Sequence, residues 1–314
     1  MADTHLNLLD LAKLSGKDAV VGLIEAVTGV APEVDRLPAR TIRGTSYQTV
    51  ARTALPTVAF RSMNSGVDAS KSRFEERLVQ CFILGSRVVV DKAAASAFED
   101  GPAALQTIEA IGVMESAKIE IGKQIFYGIA EDAKGFPGLQ AIVPSTMTVD
   151  AGGTTSATGS SVYAVRLGAQ DVQLVFGNGT TFELGDWRAG DGEDADGKKF
   201  PAWIADLSAW IGLQCTTPYA VGRLKDATAD SGKGVTDAQL QTLLDTFPVG
   251  KAPNVFFMNR RSAGQLQRAR TVVINSSRGA KAGGDIENIA EYPTSAFGIP
   301  IVVTDSLTST EALS

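Results

Sequence analysis

Histidine is almost missing from this chain of 314 residues, His5 standing alone near the start. Cysteine occurs twice, as Cys81 and Cys215, far apart and without a CxxC pair. These shortages remove the usual zinc donors, the imidazole of most acid–base and nucleophilic catalysis, and any disulfide framework. Both thiols are expected to be free and buried, in a protein made in a reducing cytoplasm. No apolar run reaches the roughly 18 residues of a membrane span, and the polar start MADTH does not read as a signal peptide. The triplets Asn178-Gly-Thr180 and Asn275-Ser-Ser277 therefore carry no weight as glycosylation sites. A nucleotide loop is also lacking, since the glycine-rich stretch from Gly128 to Leu139 has neither GxxxxGK[ST] nor GxGxxG spacing. An excess of positive charge is absent too. With 29 basic and 35 acidic side chains the net charge is -6, so any contact with nucleic acid must be local. The acidic loop DWRAGDGEDADGKK, Asp186 to Lys199, resembles a calcium loop only in part. With Gly197 as the fixed glycine, Gly192 stands in the first ligand place and Trp203 where the bidentate Glu belongs, so a solvated hairpin turn is the expectation. No metal or cofactor site is expected.

What is present is enough hydrophobic material, 44% of the chain, for cores in about two domains. The stretch from Asp100 to Gly128 reads as the longest helix, a spine on the order of 40 Å long, with Asp100 as cap and Pro102 as a first helical residue. Ala104, Leu105, Ile108, Ile111, Gly112, Ile119, Gly122 and Phe126 share one face at helical spacing. Glu115 and Lys118 intrude there, pointing to a polar partner or a second chain. Upstream, two short helices are expected over Leu6 to Leu14 and Lys17 to Val27. The segment ARTIRGTSYQTVART, Ala39 to Thr53, has strand composition but little apolar material. It is expected to run out through Phe60, turn near Ser62–Gly66, and return through Arg73 to Val90 as a long arm with a polar tip. A hairpin of that kind is marginal alone, so a neighbouring subunit should support it.

Beyond the spine, a soft Gly/Thr/Ser linker is expected from Asp150 to Ser161. A block of short strands should follow: Val162 to Leu167, Asp171 to Phe176, Thr181 to Leu184, Trp203 to Leu207 and Trp210 to Cys215. A helix capped by Thr236 precedes a strand–helix–strand unit made of Pro253 to Met258, Arg261 to Arg270 and Gly298 to Val303. Between Thr246 and Gly284 lie Lys251, Arg260, Arg261, Arg268, Arg270, Arg278 and Lys281 with no acidic residue. Such a stretch either pairs with acidic neighbours or faces packaged nucleic acid or an acidic partner.

In order and wording these parts resemble the major capsid protein of tailed bacteriophages. The matching stretches are LPARTIRGTSYQTVARTALP (Leu37 to Pro56), KGFPGL (Lys134 to Leu139), FFMNRRSAGQLQRAR (Phe256 to Arg270) and FGIPIVVTDSL (Phe297 to Leu307). The resemblance implies an α+β, Hong Kong 97-type capsid fold. Its divisions would be an N-terminal arm over 1–37, an extended hairpin loop over 38–90, the spine and peripheral domain over 91–150, and a β-rich block with the axial domain over 151–314. It implies a structural, non-enzymatic subunit that self-assembles through homo-pentamers and homo-hexamers into an icosahedral or prolate head enclosing double-stranded DNA. Assembly would occur in the host bacterial cytoplasm. Because the hairpin begins within about forty residues of Met1, a separate scaffolding protein is expected, with a portal, decoration proteins and non-specific DNA contacts as further partners and no membrane. Arg43, Tyr47, Arg52, Arg61, Asn64, Lys71 and Arg73 are expected on the inter-subunit arm, and Arg260, Arg261, Arg268 and Arg270 on a lumen- or partner-facing basic cluster. The alternatives are an encapsulin-type compartment shell, a carboxylate-based enzyme, and a secreted or surface β-rich binding protein.

Overall fold

A computed structural model describes residues 29, 31–179, 182–194, 196–277 and 290–313. The expected helices Leu6 to Leu14 and Lys17 to Val27, together with Arg278 and Lys281, lie outside them. In chain order the elements are α1 (Pro32–Arg36), β1 (Ala39–Thr41), β2 (Ser46–Ala54), β3 (Arg73–Gln80), β4 (Phe82–Asp91), α2 (Lys92–Ala97) and the spine α3 (Pro102–Tyr127). There follow α4 (Leu139–Ile142), β5 (Thr148–Asp150), β6 (Val162–Val165), β7 (Val172–Phe176), β8 (Arg188–Glu193), β9 (Lys199–Cys215) and β10 (Val221–Lys225). The chain continues through α5 (Asp237–Asp245), β11 (Val255–Met258), α6 (Arg260–Ser277), β12 (Ser295–Ala296) and β13 (Ile299–Val303).

The spine is a 26-residue helix with Pro102 in its first turn. Gly101, with φ 86°, holds the N-cap position in place of the expected Asp100. Burial is uneven along it. Ala117, Ile121, Gly122, Gln124, Ile125 and Phe126 are buried in the second half, whereas Ile111 and Gly112, expected on the inner face, are exposed. The first half packs through Leu105 on a small cluster with Val88, Val90, Ala95 and Phe98, and the second half is enclosed by the main core. There Phe126 meets Tyr163 at 5.3 Å and Phe257 at 5.6 Å between ring centroids, which plugs the helix end into the central sheet.

The KGFPGL turn wraps this helix end, where Gly128 at the end of the spine and Gly138 in the turn approach backbone to backbone too closely for a side chain. A Cβ on Gly128, whose φ is 58°, would stand 1.9 Å from the amide nitrogen of Gly138, and one on Gly135 would stand 2.2 Å from Nε2 of Gln124. That nitrogen donates to the carbonyls of Phe136 at 2.7 Å and Asp132 at 3.2 Å. The turn is therefore a backbone clamp on the spine.

Two large sheets flank this junction. In the five-stranded sheet the order is β1-β7-β9-β4, with β8 also on β9. β9 is one strand of 17 residues rather than the two expected, because β4 pairs with it unbroken from Asp91↔Ala202 to Phe82↔Ile211 and carries the ladder through Ser208. Leu184, expected to end a strand beginning at the undescribed Thr181, makes only an isolated bridge to Leu207. The acidic loop forms the expected hairpin, β8 pairing with Lys199 to Ile204. Its turn is closed by Asp194 Oδ1, which accepts the amides of Asp196 at 3.0 Å and Lys198 at 2.7 Å.

The six-stranded sheet has the order β12-β13-β11-β6-β10-β5. β11 and β13 run parallel across α6, the expected strand–helix–strand unit. Thr236 caps α5 in a reciprocal box with Gln239. The Gly/Thr/Ser segment before β6 is less soft than expected. Asp230 accepts bonds from the hydroxyls and amides of both Thr154 and Thr155, and from the Thr228 hydroxyl. Those donors, the Thr155 hydroxyl foremost, hold the Asp230 carboxyl below the usual range.

The arm is shorter than expected and differently rooted. β2 and β3 form a separate two-stranded sheet, while β1 joins β7 and β4 joins β9. The return strand leaves the hairpin at Cys81 because Val88 and Val90 are apolar enough to enter the core.

Candidate assembly surfaces

The hairpin is fixed at its base and free at its tip. The Tyr47 hydroxyl donates to Oε1 of Gln214, an oxygen that also accepts Gln173 Nε2 at 2.6 Å within the five-stranded sheet. Arg77 reaches the Thr216 carbonyl at 2.9 Å, and the Cys81 amide reaches Thr45 O at 2.8 Å. Tyr47 also packs with Val79, Cys81 and Val175. It is thus an internal root of the arm, unlike the exposed Arg43, Arg61, Asn64, Lys71 and Arg73. Arg52 stacks over Phe74 within the hairpin at 5.4 Å. Arg61 turns back on the tip, donating to Ser65 O at 3.1 Å, and Asn64 supplies the left-handed φ of 65° that the bend requires.

The tip is not polar as the sequence suggests. Val58, Phe60 and Met63 are 95%, 109% and 92% exposed, and Leu55, Phe74 and Leu78 are exposed along the shaft. Their signal was visible as an apolar run beyond Pro56, but its Ser, Thr and Asn neighbours read as turn chemistry. Single exposed apolar residues are ordinary, whereas a concentration of them on a projecting arm marks a surface meant to be covered.

The four arginines of the expected basic cluster divide into two pairs. Arg261 donates to the carbonyls of Thr158 at 2.6 Å, Ser309 at 3.0 Å and Ala227 at 3.1 Å, and burial lowers its pKa. Arg270 forms a bidentate pair with Asp237 at 2.7 and 2.8 Å. Both are occupied inside their own subunit. Arg260 and Arg268 are exposed.

A buried polar junction that sequence reading missed lies between the sheets and the spine. Glu311 Oε2 accepts from Ser161 Oγ at 2.5 Å and Arg223 Nη2 at 3.4 Å, while Oε1 accepts from the Tyr127 hydroxyl at 2.7 Å. The Arg223 and Glu311 side chains are each 9% exposed. Glu33 is fully buried against Gly122, and desolvation raises its pKa. Cys215 is pushed up to about 11, chiefly by burial, so this thiol is unreactive at neutral pH. Among the described residues no group of three or more His, Cys, Asp or Glu could hold a metal ion, and no helix is long and apolar enough to cross a membrane.

Comparison with known proteins agrees with this arrangement. The chain is similar to a chain in the near-atomic structure of bacteriophage Epsilon15 at 19% identity, covering 99% of this chain and 98% of that one with a TM-score of 0.69. It is also similar to the capsid of bacteriophage JBD30 decorated with minor capsid protein trimers, at 11% identity, coverage of 96% and 98%, and a TM-score of 0.54. At these identities the likeness establishes the fold, which is the Hong Kong 97-type capsid fold. No curated protein sequence matches. A family model, major capsid protein GP7, matches residues 34–314. The subunit is structural and not an enzyme, its shell is built by repetition, and its place is the virion capsid. The chain belongs to the major capsid protein GP7 family.

Proposed function

We propose that this protein forms the head shell of a tailed bacteriophage through homo-pentamers and homo-hexamers that close around double-stranded DNA, with the β2–β3 hairpin of each subunit lying across its neighbour. The observation that carries this reading is the hairpin itself: rooted by Tyr47 and Arg77, yet projecting an apolar tip that its own subunit leaves in water. Head-to-tail contacts of one arm on the next subunit are heterologous, and they close into rings when the rotation permits. The working division is an arm over 1–37, the hairpin region over 38–90, the spine and peripheral part over 91–150, and the β-rich and axial part over 151–314. Assembly in the host cytoplasm would use a separate scaffolding protein, a portal and decoration proteins. Negative-stain microscopy of the purified protein, with and without scaffold, tests the reading. Closed particles or capsomers are expected, and a discrete monomer under all conditions would refute it.

Arg260 and Arg268 are the arginines left for packaged DNA or another acidic partner. Replacing both with Gln is expected to leave empty shells intact while DNA retention falls and its salt dependence becomes shallower. If shells fail to form instead, the two residues are interface ion-pair partners. Replacing Arg261 or Arg270 should act differently, lowering the melting temperature of the subunit, because their partners are internal.

A further inference from the structure

A groove of about 180 Å³ lies where the spine, the KGFPGL turn and the start of β4 meet. Phe82, Ile83, Ile211 and Phe136 supply its apolar lining, and Glu120 and Asp132 are among the polar residues at its walls. It is smaller than the roughly 300–1,000 Å³ of small-molecule pockets, and its size suits one large side chain. Ile83 is 62% exposed, an apolar residue left open on the strand that ends its sheet.

We propose that this groove on one subunit receives the apolar hairpin tip of a second copy, with Phe60 as the anchor. The inference rests on the arm reading given above and names the surface that the arm meets. Three features select the occupant. Phe60 is the large aromatic of the tip and is wholly in water, and aromatic residues seated in desolvated pockets dominate interface energetics. The charges also match: residues 55–73 carry Arg61, Lys71 and Arg73 against Asp68, whereas the groove has Glu120 and Asp132 against Lys134. The third feature is reach. β4 begins two residues after β3 ends, so the groove lies at the root of its own hairpin. The ladder runs in register from Ser46↔Gln80 to Arg52↔Phe74, and its nine-residue strand places the tip roughly 30 Å away. Phe60 cannot fold back to the groove of its own chain, so the contact must be made between copies.

A charge swap tests this pairing. Phe60→Glu and Ile83→Lys each alter an exposed residue, so the subunit should melt as wild type while particle yield falls at least about tenfold. The double variant should recover most of that loss, because the two new charges attract where each alone meets an apolar partner. In parallel, Phe60→Cys combined with Ile83→Cys should give chains linked into ladders when assembled particles are oxidised, and no ladder from unassembled subunits. Wild-type yield from Phe60→Glu, a double variant no better than its poorer parent, or assembled cysteine particles without ladders would each overturn the groove assignment and leave the shell reading standing. Absence of particles from the wild-type chain would instead remove the shell reading and this contact with it.

Discussion

Replacing Pro56 to Ser72 with a short Gly-Ser turn is expected to leave a soluble, cooperatively melting subunit that no longer assembles into closed shells. The excised segment lies beyond the paired part of the hairpin, and all but one of its residues are exposed. Its hydrogen bonds run within the segment itself, such as Thr57 with Ser70 and Arg61 with Ser65. Surface changes away from the core shift stability by less than about 0.5 kcal/mol, which for a chain of this size is a melting shift below roughly 2 °C. Assembly loses the apolar tip at every inter-subunit contact, and because that contact recurs around each ring the losses compound. Melting of the subunit and microscopy of the particles separate the two effects. A truncated protein that unfolds would place the tip in its own subunit's stability, and one that assembles normally would make the arm dispensable.

Strong local patterns in the sequence correspond well to the structure. The spine, the Thr236 cap and the strand–helix–strand unit follow from capping residues and periodicity that involve near neighbours in the chain. Three features were not legible, each for a reason of range. The spine's inner face was assigned by periodicity alone, but whether Ile111 is covered depends on how far the sheets extend along the helix. The continuity of β9 through Ser208 depends on β4, more than a hundred residues away, supplying a partner at every position. The division of the basic cluster depends on where Asp237 and the carbonyls of Thr158, Ala227 and Ser309 fall in space. Charge counting sees four equivalent arginines, whereas the fold makes two of them structural. The apolar tip was misjudged for the opposite reason: its residues were visible, and turn chemistry around them masked their meaning.

The second large effect is expected at Glu311. Its carboxylate ties together Tyr127 at the end of the spine, Ser161 ahead of β6 and Arg223 on β10, and its backbone pairs with Gly159. Glu311→Ala would leave the Arg223 guanidinium, 9% exposed, without its carboxylate, and breaking a buried pair from one side costs about 3–5 kcal/mol. Tyr127→Phe, which removes one neutral donor from the same carboxylate and the acceptor of the exposed Thr308 amide, should cost only about 1–2 kcal/mol. The ordering distinguishes an uncompensated buried charge from a simple sum of lost hydrogen bonds. Replacing both charged partners by apolar residues, as Arg223→Met with Glu311→Leu, should recover much of the loss, since the large term is the stranded charge and not the attraction itself. Denaturant melting of the unassembled subunit measures all three variants. A double variant as unstable as Glu311→Ala would mean that the junction contributes through geometry, by fixing the spine against both sheets, in which case particle shape should change along with stability.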